Sequence, residues 1–267
     1  MPLAVCATPI GNLDDVTLRV LEELRSADVI LCEDTRHTRG LLDRHGISDA
    51  KLLSYHEHNE AKRSAELLPR LVAGERVALV SDAGMPGISD PGARLIGAAL
   101  EQGVPVTVLP GASAVDTALV ASGFAADRYQ FVGFLPRSGG ALASLWREIA
   151  GWSSPLVAFE SPQRLPATLR SLADAQPGRE VAVCRELTKK FEEVVRGTAT
   201  ELAARFAEPP KGEITLVLGP GGEEPDVSLA VEAVAELVSA GVARRQAADV
   251  VSRLTGAARN ELYRRTL

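Results

Sequence analysis

Between Leu3 and Gly123 the chain alternates short apolar runs with longer amphipathic stretches, and this rhythm limits the fold more than any other feature. The runs fall at residues 3–7, 28–32, 51–54, 76–80 and 104–109. Short, continuously apolar strands separated by helices must be covered on both faces, which predicts a parallel sheet with helices on each side. Val16, Leu18, Val20, Leu21 and Leu24 mark the inward stripe of one intervening helix, with Asp14 or Asp15 placed to cap it. Pro69 lies inside the helical pattern of residues 59–73, so a kink or early stop is expected there. Asp90-Pro91 reads as an N-cap followed by proline at the first helical position, with Gly103 closing that helix. Ser113 and Asp116 have the spacing of a capping box, and Gly123 closes the helix they begin.

After Gly123 the pattern changes. Strands are expected at 129–135, 156–160, 181–185, 191–196 and 214–218, with helices near 141–150, 164–175 and 200–206. Two of these strands follow one another with no helix between them, so this second sheet should be mixed. Residues 219–225 have the composition of a linker, and three small helices are expected at 228–240, 244–254 and 257–265. The fold class expected is α/β, with a parallel N-terminal domain (1–120), a mixed-sheet C-terminal domain (121–221) and a helical, basic extension (222–267). The boundary between the two larger domains is placed around residues 118–128.

With 267 residues, 46% hydrophobic and 24% charged, the chain has the makeup of a globular protein of two ordinary domains and an appendage. No stretch approaches eighteen consecutive apolar residues, and the N-terminus enters a strand without a basic leader, so neither a membrane span nor a signal peptide is expected. Cys6, Cys32 and Cys184 each sit in an apolar strand, which suits buried free thiols in a reducing cytoplasm better than a disulfide or a metal site. A net charge of −6 argues against a generally basic, nucleic-acid-binding surface. The charge is unevenly spread, however. Residues 243–267 carry six arginines against Asp249 and Glu261, while residues 222–241 carry five acids and no base. The basic end suits either an RNA contact or a simple solvated tip.

In an open parallel sheet ligands collect at the carboxyl ends of the strands. That places four loops in view: residues 7–12, 33–36, 81–92 and 110–113. Residues 81–92 hold three glycines and two prolines, a costly composition unless the main chain must turn tightly around a ligand. A long ordered turn burying Met85 and Ile88 is the alternative. No Gly-x-x-x-x-Gly-Lys-Ser/Thr is present and no Gly-x-Gly-x-x-Gly opens a helix after the first strand, which excludes the usual nucleotide triphosphatase and dinucleotide sites. His56-Glu57-His58 lacks a third metal partner and reads as a solvated turn. Residues 185–193 crowd hydrogen-bonding side chains after a strand, as would a salt-bridged hairpin, and residues 159–164 also follow a strand.

Seven segments occur in order: Ala7-Thr-Pro-Ile-Gly-Asn-Leu-Asp14, Cys32-Glu-Asp-Thr-Arg36, residues 81–92, Pro110-Gly-Ala-Ser-Ala114, Phe159-Glu-Ser-Pro-Gln-Arg164, residues 184–193 and Lys211-Gly-Glu213. Together they resemble the tetrapyrrole-methylase superfamily, in its branch that methylates small-subunit ribosomal RNA, over roughly residues 1–220; Asn260-Glu-Leu-Tyr263 resembles that branch too. Porphyrin and corrin members carry Gly-x-Gly-Asp-Pro where this chain reads Gly84-Met-Pro-Gly-Ile-Ser-Asp-Pro91. The resemblance implies two α/β domains with S-adenosylmethionine in the cleft between them, usually in a homodimer. It implies methylation of the ribose 2′-hydroxyl of a cytidine in the decoding region of 16S ribosomal RNA, as free RNA or small subunit, with no metal.

Cofactor contacts carried over fall on Pro9, Gly11, Asp82, Ala83, Gly84, Pro86, Ser113 and Ala114, with Phe134, Leu135 and Gly212 completing the pocket. For catalysis, Glu186 and Lys189 are expected near the acceptor, Glu33 and Asp34 opposite, and Arg185 on a phosphate. Arg36, Arg164, Arg244, Arg245 and Arg259 are the expected RNA contacts. A tetrapyrrole or other small acceptor, or a ribosome-binding module without catalysis, are the competing expectations.

Overall fold

The computed structural model describes residues 2–221, 227–255 and 257–266. Five parallel strands, β1 (Leu3–Cys6), β2 (Val29–Cys32), β3 (Leu52–Ser54), β4 (Val77–Val80) and β5 (Val106–Leu109), form the first sheet in the order β3-β2-β4-β1-β5. Strand side chains alternate, so each face needs its own cover. Leu3, Val5, Leu31 and Leu79 pack against Leu67 and Leu71 of α3 (Glu60–Val72) and Leu95 of α4 (Ala93–Glu101). Ala4, Cys6, Ile30 and Val80 meet Val20 and Leu24 of α1 (Leu18–Ser26) and Leu42 of α2 (Thr35–Arg44). The doubly covered parallel sheet expected from the apolar rhythm is therefore present.

Local signals fared less evenly. The cap of α1 is Thr17, whose hydroxyl accepts the Val20 N–H; Asp14 and Asp15 belong to a separate 3-10 turn capped by Asn12. Helix α3 continues through Pro69 and ends three residues later at Val72. Helix α4 starts two residues later than Asp90-Pro91 suggested. Its N-cap is Gly92 at φ 145°, where a Cβ would approach Leu79 to 3.0 Å and the Gly87 nitrogen to 3.3 Å, so only glycine fits. This shift frees Asp90 from the capping role.

The second sheet contains β6 (Gln130–Phe134), β7 (Leu156–Glu160), β8 (Glu180–Arg185), β9 (Glu193–Thr198) and β10 (Ile214–Leu218), ordered β6-β7-β10-β8-β9. Only β6 and β7 run parallel; the other pairs are antiparallel, as a mixed sheet requires. One face packs on α6 (Gly139–Ile149), α7 (Leu165–Ala175) and α8 (Ala199–Arg205) through Trp146, Leu169 and Leu202. The other face is covered by α5 (Ala114–Ser122): Val115, Ala118 and Leu119 lie against Val157, Ala182, Cys184 and Val217. Thus the helix that follows the last strand of the first sheet packs on the second one, and the boundary expected at 118–128 begins inside it. Ser113 caps α5 by accepting the Asp116 N–H, and Gly123 closes it at φ 77°. Asp116 does not complete a capping box; its carboxylate accepts the Tyr129 hydroxyl at 2.9 Å.

Beyond residue 221, α9 (Val227–Ser239), α10 (Arg244–Thr255) and α11 (Arg259–Arg265) pack around Val234, Ala247, Val251 and Leu262. Residues 222–225 of the expected linker lie outside the described residues. No helix among the described residues is long and apolar enough to cross a membrane.

Candidate active site

The loops at the carboxyl ends of β1 and β4 are joined to each other. Thr8 and Gly84 exchange backbone hydrogen bonds (2.9 and 3.1 Å), and the Thr8 hydroxyl donates to the Ser81 carbonyl at 2.9 Å. Gly84 (φ 80°) and Gly87 (φ 83°) take the backbone conformation that glycine permits. Among the described residues, three that are not glycine also have positive φ: Ser89, Glu186 and Thr188. All three are in loops at this end of the molecule, and such strain persists where surrounding contacts fix it, often at functional sites.

Between the two sheets these loops enclose a cavity of about 620 Å³, within the range of small-molecule sites. Its apolar wall includes Ile10, Met85, Phe131 and Phe159, while Asp82, Asp90 and Asp116 supply carboxylates. Of the residues expected to hold a cofactor, Asp82, Ala83, Gly84, Ser113, Ala114, Phe134 and Gly212 line it. Pro9, Gly11, Pro86 and Leu135 do not. Strand alternation explains Leu135: Phe134 turns outward (63% exposed) and Leu135 is buried in the second domain's core. Gly11 packs instead on the β8–β9 turn, where a Cβ would sit 2.7 Å from the Thr188 hydroxyl. Ile88, expected to be buried if the loop were only a turn, is 54% exposed and lines the cavity with Met85.

A second cavity, of about 550 Å³, adjoins the first and shares Asp82 with it. Glu33, Asp34 and Arg36 line it as the loop reading anticipated, and so do His56, Glu57 and His58, which the sequence presented as a solvated turn. Asn59 fixes His56: its Oδ1 accepts the His56 backbone N–H, and its Nδ2 donates to the Ser54 carbonyl and to His56 Nε2 (3.1 Å). Among the described residues no group of three or more His, Cys, Asp and Glu is arranged to hold a metal ion.

Electrostatics differ sharply among the acids here. Burial, reinforced by the charges of Glu33 and Asp82, pushes the Asp90 carboxyl up to about 6, against a hydrogen bond with Ser81. Burial and then Asp82 raise Glu33 as well. Asp34 is the opposite case, held well below the usual carboxylate range by the Arg36 guanidinium, which it binds through both oxygens (3.1 and 2.6 Å).

Several expected site residues have partners that redirect them. Glu186 Oε1 accepts from the Glu213 backbone (2.9 Å) and from Lys189 Nζ (3.0 Å), and Lys189 also donates to Glu213 Oε2 (2.8 Å). The Glu213 N–H, helped by the ammonium, holds the Glu186 carboxyl below its ordinary value. Neither Glu186 nor Lys189 lines either of these two cavities. Arg185 pairs with Glu193 and the Lys211 carbonyl rather than standing open for a phosphate. Arg164 is likewise committed inward, donating to the carbonyls of Leu135 and Pro136 and facing buried Glu160 at 3.3 Å. Arg36 is 90% exposed, Arg245 is exposed, Arg244 is half-buried and Arg259 is paired with Asp249.

The sequence did not single out Asp90, His56, Phe131 or Phe159 as site residues. Asp90 was hidden by its resemblance to a helix cap, Phe131 read only as a strand residue, and Phe159 opened the 159–164 segment of the resemblance without being given a contact of its own.

Residues 2–203 match the family of tetrapyrrole (corrin/porphyrin) methylases. A ribosomal RNA small subunit methyltransferase I from Mesorhizobium japonicum is 42% identical over 268 residues, covering 99% of this chain and 91% of its own. A protein of the same name from Thermotoga maritima is 45% identical over 217 residues, covering 81% of this chain and 97% of its own. Among solved structures, a Thermus thermophilus uroporphyrin-III C-methyl transferase complexed with S-adenyl homocysteine superposes with a TM-score of 0.56 at 20% identity, covering 81% of this chain and 96% of that one.

Proposed function

The chain belongs to the tetrapyrrole (corrin/porphyrin) methylase family, and from that membership we propose that it transfers a methyl group from S-adenosylmethionine to the ribose 2′-hydroxyl of a cytidine in the decoding region of 16S ribosomal RNA. Methyl transfer to ribosomal RNA follows from relatives so named at more than 40% identity over most of the chain. The observation that carries the finer reading is the pair of adjoining cavities, one largely apolar and enclosed by glycine-shaped main chain, the other open and polar.

The larger cavity fits the cofactor in size and chemistry. Aromatic and aliphatic side chains suit an adenine ring, and carboxylates with backbone carbonyls suit hydroxyl, ammonium and sulfonium groups. Gly84 at φ 80°, linked to Thr8, lets main chain approach a ligand there. Asp82, Ala83, Gly84, Ser113, Ala114, Phe134 and Gly212 would hold it. When bound, the cofactor supplies an electrophilic methyl group. The protein's task is to bring the acceptor oxygen in line with that methyl, since alignment alone accounts for large rate gains.

The acceptor nucleoside occupies the second cavity in this reading, with exposed Arg36 meeting a neighbouring phosphate. Glu186 and Lys189 act as positioning residues: joined to Glu213, they hold the Gly212–Glu213 segment against the cavity and brace the β8–β9 turn under Gly11. The Arg244–Arg265 segment adds phosphate contacts.

Mass spectrometry of 16S RNA from cells with and without this gene tests the proposal. The expected result is loss of one ribose-methylated cytidine in the deletion strain, restored by the intact gene. An unchanged set of ribose methyl groups would refute it.

A further inference from the structure

Transfer of a methyl group to a hydroxyl leaves a proton to be taken up. The O–H bond breaks, an O–CH3 bond forms, and the methyl–sulfur bond breaks with its electron pair remaining on sulfur. Among the described carboxylates near the cavities, most are already engaged. Glu186 is bound by Glu213 and Lys189, and Asp34 by Arg36. Asp116 accepts the Tyr129 hydroxyl, and Glu160 accepts from Ser161, Thr168 and Arg164. Asp82, which lines both cavities, accepts the Asp34 N–H at 3.0 Å. That leaves Glu33 and Glu57 on the polar cavity and, on the wall of the larger one, Asp90, which meets the Ser81 hydroxyl.

We propose that Asp90 is a further catalytic residue, the base that takes the proton of the acceptor hydroxyl as the methyl group moves. The proton passes to the Asp90 carboxylate and from there to water. This rests on the RNA-methylation reading above. Asp90 stands on the wall of the cavity that would hold the methyl donor, close to Asp82, the residue that lines both cavities, and to Glu33 of the polar one. A base works best when its proton affinity matches the working pH, and burial beside Glu33 and Asp82 moves Asp90 to about 6. The groups facing it are Glu33 from the loop after β2, with His56 beside Glu33, and Asp82 and Ser81 from its own loop; Glu60 on α3 holds the following turn through the Gly92 N–H.

The test is single-turnover methylation of small-subunit RNA between pH 5 and 8. Wild-type rate should rise as pH increases through about 6, because the carboxylate form is the active one. Asp90→Asn should lose about 100-fold or more in rate together with that pH dependence. Its calorimetric affinity for S-adenosylhomocysteine and its KM for RNA should stay near wild type. The variant should fold, since it relieves a carboxylate held among like charges, and thermal unfolding at pH 8 checks this. Asp90→Glu should recover part of the rate with an acid limb. Glu33→Gln should move the wild-type acid limb to lower pH, because a neighbouring negative charge is gone. Full activity in Asp90→Asn, or an acid limb that persists there and vanishes in Glu33→Gln, would overturn the assignment alone. A wild-type protein unable to methylate RNA would overturn the underlying reading and this proposal with it.

Discussion

At Gly212 the backbone sits at φ 98°, and an added Cβ would fall 2.7 Å from Glu186 Oε1. Alanine there combines an unfavourable left-handed conformation with crowding against a carboxylate fixed by Lys189. We expect Gly212→Ala to cost about 2 kcal/mol or more in urea unfolding and to weaken binding of S-adenosylhomocysteine by calorimetry. An unchanged midpoint and affinity would show that the segment yields easily. The same residue scale explains why certain roles were misread from sequence. Arg164, expected among the RNA contacts, is half-buried. Its burial depends on the carbonyls of Leu135 and Pro136, nearly thirty residues away. Asp90 looked like a cap because Asp-Pro usually is one, and only the close approach of Gly92 to Leu79 and Gly87 moved the helix start past it.

Among the elements, α5 has the most consequential position. It begins at the carboxyl end of the first sheet, contributes Ser113, Ala114, Val115 and Asp116 to the cavity wall, and packs on the second sheet. Its Ser113 cap therefore stabilises the helix and shapes the site together. Ser113→Ala should cost about 1 kcal/mol in global stability by denaturant titration, and affinity for S-adenosylhomocysteine should fall because the loop before the helix loses its anchor. Loss of stability with unchanged affinity would separate the two roles. The strands were readable because burial on both faces leaves continuous apolar runs, and all ten lie within a few residues of their expected ranges. Caps were less readable, since Asp14, Thr17 and Asn12 all carry suitable side chains and the geometry of the turn chooses among them.

Across the whole molecule, the C-terminal helices have a core of their own, formed by Val234, Ala247, Val251 and Leu262. Removing residues 222–267 should therefore leave S-adenosylhomocysteine binding intact while weakening RNA binding and reducing its salt dependence. Filter binding at several salt concentrations, beside calorimetry, checks both halves. Undiminished RNA affinity would remove the extension from recognition. The Thermotoga maritima relative, matched over 97% of its length by 217 residues, has little room for such an extension, which makes the comparison of full and shortened chains direct.

What the sequence determined alone was whatever depends on local periodicity and on ordered loops: two α/β units, the parallel and mixed sheets, and the loops that gather at one end. Tertiary structure decided which side chains face a cavity and which are spent on each other. Glu186 and Lys189 are equally polar in sequence whether they meet a substrate or Glu213, and His56 is the same residue in a solvated turn or a cavity wall. Those outcomes depend on which loops the two sheets bring together, a long-range matter that residue spacing does not encode.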